Sequence, residues 1–312
     1  MEFTILGRTG LEVSVAGLGC GGPSRLGLRV NKTEKDAILL VRRAIDMGVN
    51  LIDTADVYGT EEVVGKALET VPRNRVVIST KRLPPLGYPD PAAELKCGLE
   101  QSLVRLKTDY VDIYHLHSVK REEYAVVLEK LVPALFQLRQ EGKLRFLGIT
   151  EAFREEFGHG MLQLALEDDF WDVMMVGFNM LNQSARTRVL PKTLQKNIGV
   201  LVMFAVRRAL SQPARLRQVW DELKAKGLVD AGAGAGEEPL NFLLRGAEAS
   251  SIPDAAYRFC RYEPGVHAVL TGTGNPDHLR QNLDSLLKPP LSDAVTKRLK
   301  EIFANVDCVS GD

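Results

Sequence analysis

Val76-Val-Ile-Ser-Thr80, followed directly by Lys81, is the stretch on which the fold turns. It is continuous rather than alternating, and four of its five side chains are β-branched. A strand buried on both faces has that composition, and such strands belong to parallel sheets covered by helices. Working outward, comparable segments end near Leu18, Asp53, Lys81, His117, Thr150, Asn179, Phe204 and Thr271. Most lie roughly 30 residues apart, the length of one strand–helix–turn unit. The last interval, from Phe204 to Thr271, is 67 residues and holds an insertion.

The intervals carry helix signals. Thr33 precedes Glu34 as an N-cap, Ile38, Leu39, Val41, Ala44 and Ile45 follow at helical spacing, and Gly48 closes the segment. Pro91 opens a second helix with Leu95, Leu99, Leu103 and Leu106 on one face, and Pro133 opens a third that ends by Gly142. Within the insertion, residues 214–226 read as a helix, and the low-complexity run Asp230-Ala-Gly-Ala-Gly-Ala-Gly-Glu237 reads as a mobile loop. At the start, Phe3 to Leu6, the turn Gly7-Arg-Thr-Gly10 and Leu11 to Val15 form a hairpin.

Eight strands alternating with helices over a chain of 312 residues predict an α/β fold, a (β/α)8 TIM barrel. The prediction is one domain over residues 1–312, with an N-terminal β-hairpin and an insertion between strands 7 and 8. Gly17, Gly19 and Gly22 satisfy G-x-G-x-x-G, the one hint of an open doubly wound sheet. That motif requires a helix to open at once, whereas Pro23-Ser-Arg-Leu-Gly27 intervenes. The glycines are read instead as letting backbone approach a ligand at the mouth of strand 1.

Composition narrows the partners. Forty Lys and Arg balance forty Asp and Glu, so no net field draws the chain to nucleic acid or an anionic membrane. No apolar run is long enough to span a bilayer, and residues 1–10 lack the pattern of a signal peptide. Cys20, Cys97, Cys260 and Cys308 show neither zinc-ligand spacing nor a disulfide framework, which predicts a cytoplasmic protein without a metal.

Chemistry on such a barrel sits at the C-terminal strand ends. Those ends carry Asp53, Tyr58 just beyond it, Lys81 and His117. Singly, each has a structural explanation: a capping acid, a solvated ammonium, a core imidazole. Four such groups on one rim make a proton-transfer set. His115 shares the parity of His117 and is expected to point inward beneath it, in a packing or supporting role.

Gly48-Val-Asn-Leu-Ile-Asp-Thr-Ala-Asp-Val-Tyr-Gly-Thr-Glu-Glu-Val-Val-Gly65 resembles the first signature of the aldo-keto reductase superfamily. Val77-Ile-Ser-Thr-Lys81, residues 109–117, residues 141–150 and residues 265–272 resemble later segments of the same superfamily. The resemblance implies a catalytic tetrad of Asp53, Tyr58, Lys81 and His117. It also implies cofactor contacts at Gly21, Asp53, Thr150, Glu151, Met175, Met203, Gly272, Thr273, Gly274, Arg280, Gln281 and Asn282.

The implied activity is NAD(P)(H)-dependent interconversion of a small-molecule carbonyl and its alcohol. A phenol ordinarily near pKa 10 must fall by roughly 3 units to act near neutrality. One ammonium at about 4 Å supplies ~4 kcal/mol at an effective dielectric of ~20. Lys81 is expected to lower Tyr58 in this way, Asp53 to hold Lys81, and His117 to aim the carbonyl.

The sequence departs from the family pattern at the cofactor. Thr150 and Glu151 stand where the family places Ser-Asn, Met175 replaces a Gln, and Met203 replaces an aromatic residue. Glu151 is expected to accept from the nicotinamide carboxamide. Gly272 and His278 stand where the family has its 2′-phosphate cations, but Thr273, Arg280, Gln281 and Asn282 remain nearby, so NADP(H) is expected with NAD(H) also compatible. Asn275 before Pro276 marks a helix N-terminus suited to the phosphates, and Arg207 and Arg208 are further candidates for them. A non-catalytic cofactor sensor or regulatory subunit on the same barrel is the rival reading, followed by an unrelated phosphosugar-type barrel enzyme. The sequence carries no stripe that specifies an oligomeric state.

Overall fold

The protein is described by a computed structural model covering residues 1–230, 238–246 and 248–312. Ten strands occur in it: β1 (Phe3–Ile5), β2 (Glu12–Ser14), β3 (Ala16–Gly19), β4 (Leu51–Asp53), β5 (Val77–Arg82), β6 (Val111–Val119), β7 (Leu144–Glu151), β8 (Val173–Gly177), β9 (Gly199–Met203) and β10 (Ala268–Thr271). Strands β1 and β2 pair antiparallel as the expected hairpin. The other eight are all parallel, and β10 closes the barrel onto β3. The (β/α)8 prediction therefore holds, and the strand ends fall within two residues of the predicted ones.

Burial explains the sequence pattern layer by layer. Inside the barrel, Leu51, Val77, Ile113, Val173, Leu201 and Ala268 form an apolar plug. Leu6, Leu11 and Val13 of the hairpin region pack into the same cluster and stopper the N-terminal end of the barrel. A second, larger cluster fills the space between the strands and the surrounding helices, with Trp171 its largest fully buried side chain.

The helices begin where local chemistry starts them. Thr33 Oγ1 accepts from the Asp36 amide at 3.2 Å while Asp36 accepts from the Thr33 amide at 2.9 Å, a capping box for helix Glu34–Asp46. Asp90 caps helix Pro91–Leu106 through the Ala93 amide. Pro133 lies in the first turn of helix Val132–Gln140. After the G-x-G-x-x-G glycines only a short 3-10 turn at Arg25–Gly27 precedes Glu34, so no helix meets that motif. The insertion contains helices Pro213–Ala225 and Ile252–Arg261, the first burying Leu216, Val219, Trp220 and Leu223. Apart from Asp230, the loop expected at 230–237 lies outside the described residues. Among the described residues, no helix is long and apolar enough to cross a membrane.

Candidate active site

The four predicted catalytic residues meet at the C-terminal mouth of the barrel. Asp53 ends β4, Lys81 sits near the end of β5, His117 lies in the last third of β6, and Tyr58 ends the 3-10 turn Asp56–Tyr58 that follows β4. Lys81 is 1% exposed, and its ammonium donates to Asp53 Oδ1 at 2.6 Å, to Asp53 Oδ2 at 2.7 Å and to the Thr54 carbonyl at 2.6 Å. All three N–H bonds are thereby committed. Burial is the largest single influence and disfavours the ammonium, but the Asp53 charge and hydrogen bonds, joined by Tyr58 and Cys20, together outweigh it and hold the Lys81 pKa above its usual value.

Tyr58 Oη lies 3.4 Å from His117 Nε2, with the two rings edge to face at 5.5 Å. Lys81 Nζ is 5.2 Å from the centre of the Tyr58 ring and makes no hydrogen bond to its oxygen. The sequence argument expected Lys81 to bring the Tyr58 pKa down toward neutrality; its charge does pull that way but does not prevail. Burial raises it, the Lys81 charge pulls it down, and Asp53 pushes it up again, leaving it above the ordinary phenol value. Lys81 acts on Tyr58 through its field alone, and Asp53 offsets part of that field. Tyr58 thus rests as a protonated acid.

His117 is pulled down to about 3 by burial and then by the Lys81 charge, so its imidazole is neutral near pH 7. His115 points inward as its parity required and is fully buried. Its Nε2 lies 3.1 Å from Ser79 Oγ, and Ser79 Oγ donates to Asp53 Oδ1 at 2.8 Å. Burial, then the Lys81 and His117 charges, hold the His115 pKa well below the usual imidazole value.

Gly21, beyond β3, is needed for close approach. A Cβ there would lie 2.4 Å from Tyr58 Cε2. The cavity above the tetrad measures about 730 Å³ and extends from Tyr58 and His117 to the turn after β10. Met175 and Met203 form part of its floor, with thioethers where polar contacts were sought.

Several predicted cofactor contacts take other positions. The Glu151 carboxylate turns away from the cavity: it accepts from the Gly177 amide at 2.8 Å and bonds His159 Nδ1 at 2.9 Å. A fully buried imidazole and a strand-end amide satisfy it there, so it is not free for a carboxamide. His159 Nε2 in turn meets Ser184 Oγ at 2.9 Å, but this Ser–His–Glu row does not line the cavity. Thr150 Oγ1 accepts from the Ser118 amide at 2.7 Å.

At the phosphate end, Gly272, Thr273, Gln281 and Asn282 line the cavity. Gly274 instead packs on Gly27, where a Cβ would lie 2.4 Å from the Gly27 Cα. Arg280 is turned outward toward Asp277 at 3.6 Å. Asn275 caps helix Pro276–Leu287 through the Asp277 amide at 2.8 Å.

Sequence reasoning missed Phe204 and Asp312 in the cavity wall, and the structure ties Arg207, a sequence candidate for the phosphates, to both. Phe204, next to Met203, adopts φ 68°, which ends β9 and brings its ring into the cavity wall. Arg207 lies over that ring, 4.5 Å from its centre. Asp312 lines the same wall and holds Arg207 through bonds of 2.7 and 3.0 Å and Arg154 through one of 2.8 Å. Ser79 was missed as well, although it had a readable signal: it shares the parity of Lys81 on one strand.

Comparison with known proteins agrees with this geometry. The model of the Aldo/keto reductase family matches residues 17–304. L-galactose dehydrogenase of Arabidopsis thaliana is 30% identical over 308 residues, covering 93% of this chain and 95% of that protein. An uncharacterised oxidoreductase of Bacillus subtilis is 27% identical, covering 95% of this chain and 94% of that protein. Among solved structures, the thermostable aldo-keto reductase Tm1743 in complex with the inhibitor epalrestat superposes with a TM-score of 0.72 at 26% identity, covering 97% of this chain and 100% of that one. An aldo/keto reductase from Klebsiella pneumoniae in complex with NADP and acetate gives 0.71 at 24% identity, covering 98% and 97%, and bears on the fold alone. With its barrel closed, its tetrad assembled and the family's model spanning almost its whole length, the chain belongs to the aldo-keto reductase superfamily of NAD(P)(H)-dependent oxidoreductases of carbonyls and alcohols.

Proposed function

We propose that the protein is a carbonyl reductase or alcohol dehydrogenase in which Tyr58 is the general acid toward the carbonyl oxygen. The observation that carries this reading is the buried Lys81–Asp53 pair beside a phenol that burial keeps protonated. His117, neutral near pH 7, directs the carbonyl by a hydrogen bond from Nε2 and shares the developing negative charge with Tyr58. Lys81 keeps a fixed positive charge beneath the phenol, so the tyrosinate left after proton donation is stabilised. A bound nicotinamide supplies or accepts the hydride.

The residues present fit that cofactor. The cavity is long, Met175 and Met203 offer an apolar floor, and its far end meets the capped N-terminus of helix Pro276–Leu287, which favours an anionic group. NADP(H) is the proposed cofactor and NAD(H) is also accepted. Among the described residues after β10 that line the cavity, His278, Gln281 and Asn282 are polar, and none is a lysine or arginine. Binding of the two forms is therefore expected to differ by less than about tenfold, or ~1.4 kcal/mol. The name of the Arabidopsis relative makes a sugar the first substrate to try.

The test pairs calorimetric titration of NADPH and NADH with turnover on a panel of aldoses, aldehydes and ketones. Tyr58→Phe should abolish turnover and leave cofactor binding within about twofold. Turnover retained by that variant would overturn the assignment. The absence of a carboxamide partner at Glu151 favours a second reading, a cofactor sensor, which would bind cofactor and turn over nothing.

A further inference from the structure

Beneath the tetrad lies a second row of polar groups, fully buried between β4, β5 and β6. Ser79 is 0% exposed and stands two residues before Lys81 on the same face of β5. His115 is 0% exposed and stands two residues before His117 on β6. Their side chains meet at 3.1 Å, and Ser79 Oγ reaches Asp53 Oδ1 at 2.8 Å. The room for His115 is itself provided: a Cβ on Gly148 of β7 would lie 2.2 Å from His115 Nδ1.

The proton count fixes the direction of this row. Ser79 has one hydroxyl proton, and the charged Asp53 oxygen is the shorter and stronger acceptor. Ser79 therefore donates to Asp53, and its lone pair must accept from His115. That requires the neutral imidazole to carry its proton on Nε2. Asp53 Oδ1 then receives Ser79 in addition to Lys81, while Oδ2 receives Lys81.

We propose that Ser79 and His115 are positioning residues for the reaction: their hydrogen-bonded row fixes Asp53 and withdraws part of its charge, which sets how strongly Lys81 acts on Tyr58. This rests on the reading of Tyr58 as the acid. The charged and titratable groups facing Tyr58 are Lys81 from β5, Asp53 from β4, Cys20 after β3, His117 from β6 and Arg207 after β9. Of these, Asp53 opposes Lys81 most directly. Loss of the Ser79 donor leaves Asp53 more negative, so the phenol becomes a weaker acid.

Three variants and two readouts test this. In Ser79→Ala, the basic limb of the kcat profile for carbonyl reduction should move up by about half to one pH unit. Its kcat near neutrality should fall by a factor of about 3–10, with KM for the carbonyl unchanged. Ser79→Thr, which keeps the hydroxyl, should restore the limb. His115→Phe should move it in the same direction by a smaller amount. A purely structural role would lower kcat equally at all pH values without moving the limb, and that result would overturn the proposal. Nitrogen NMR of labelled histidine gives a readout independent of turnover: His115 should carry its proton on Nε2 in the wild type. A proton on Nδ1 would also overturn the proposal. Turnover retained by Tyr58→Phe, or absent from the wild type with the Nε2 proton present, would instead count against the functional reading alone.

Discussion

Gly21→Ala adds one methyl group where the backbone of the cavity wall runs against the Tyr58 ring. That carbon would lie 2.4, 2.6 and 2.7 Å from Cε2, Cζ and Cδ2 of Tyr58. Carbon atoms rest about 3.5–4.0 Å apart, so the ring must retreat by roughly 1 Å. It can do so, because Tyr58 lines an open cavity and ends a 3-10 turn rather than a packed strand. The 3.4 Å approach of Tyr58 Oη to His117 Nε2 is then lost. A misplacement of that size costs about 100-fold in rate, equivalent to ~2.7 kcal/mol of transition-state stabilisation. The assay is steady-state carbonyl reduction, with cofactor affinity by calorimetry and melting temperature as controls. The expected outcome is kcat down about 100-fold, with a folded protein and cofactor binding within a few-fold of the wild type. A Gly21→Ala enzyme with kcat within threefold of wild type would refute the reasoning, since it would mean that the ring's position does not govern the step.

Acid should weaken the fold through its inner histidines. The pKa values of His115 and His117 are both lowered in the folded protein, so each is neutral there, while the unfolded chain protonates them near pH 6.5. Stability is thus fully present above that value and is lost as pH falls toward the folded pKa values. From pH 7.5 to 5.5 the two together should remove about 2–3 kcal/mol, measured by urea unfolding. A stability unchanged across that range would exclude the assigned neutral forms. Replacing Asp312 by Asn removes the carboxylate that holds Arg207 and Arg154. Because both ends are partly exposed, the expected loss is about 1 kcal/mol, seen as a melting temperature a few degrees lower, with the difference shrinking in 1 M salt. Equal melting temperatures at low salt would show that the clamp adds nothing.

The sequence made the barrel legible because each strand is buried on both faces, and such strands are continuous apolar runs that need no partner to be recognised. The tetrad was legible for a related reason: Asp53, Lys81 and His117 stand at strand ends, where alternation and parallel register fix direction. His115 followed from parity, and the parity of Lys81 carried an unread signal for Ser79. The cofactor residues were harder, because position along the chain does not show which way a side chain turns. Glu151 had an alternative partner in His159, eight residues on, and a buried imidazole and amide outcompete an open cavity for a carboxylate. Arg280 lies on the solvent face of its helix, although Gln281 and Asn282, the next two residues, line the cavity. Tyr58's acidity was misjudged because counting one ammonium ignored both desolvation and the carboxylate bound to that ammonium. Asp312 could not be anticipated at all, since its contacts with Arg154 and Arg207 close loops of 158 and 105 residues.

The hairpin that stoppers the barrel has a consequence for traffic. With Leu6, Leu11 and Val13 wedged against the inner strand residues, the N-terminal end of the barrel is closed. Whatever reaches the tetrad therefore enters from the C-terminal mouth, so an element far from the reacting atoms sets the side of approach.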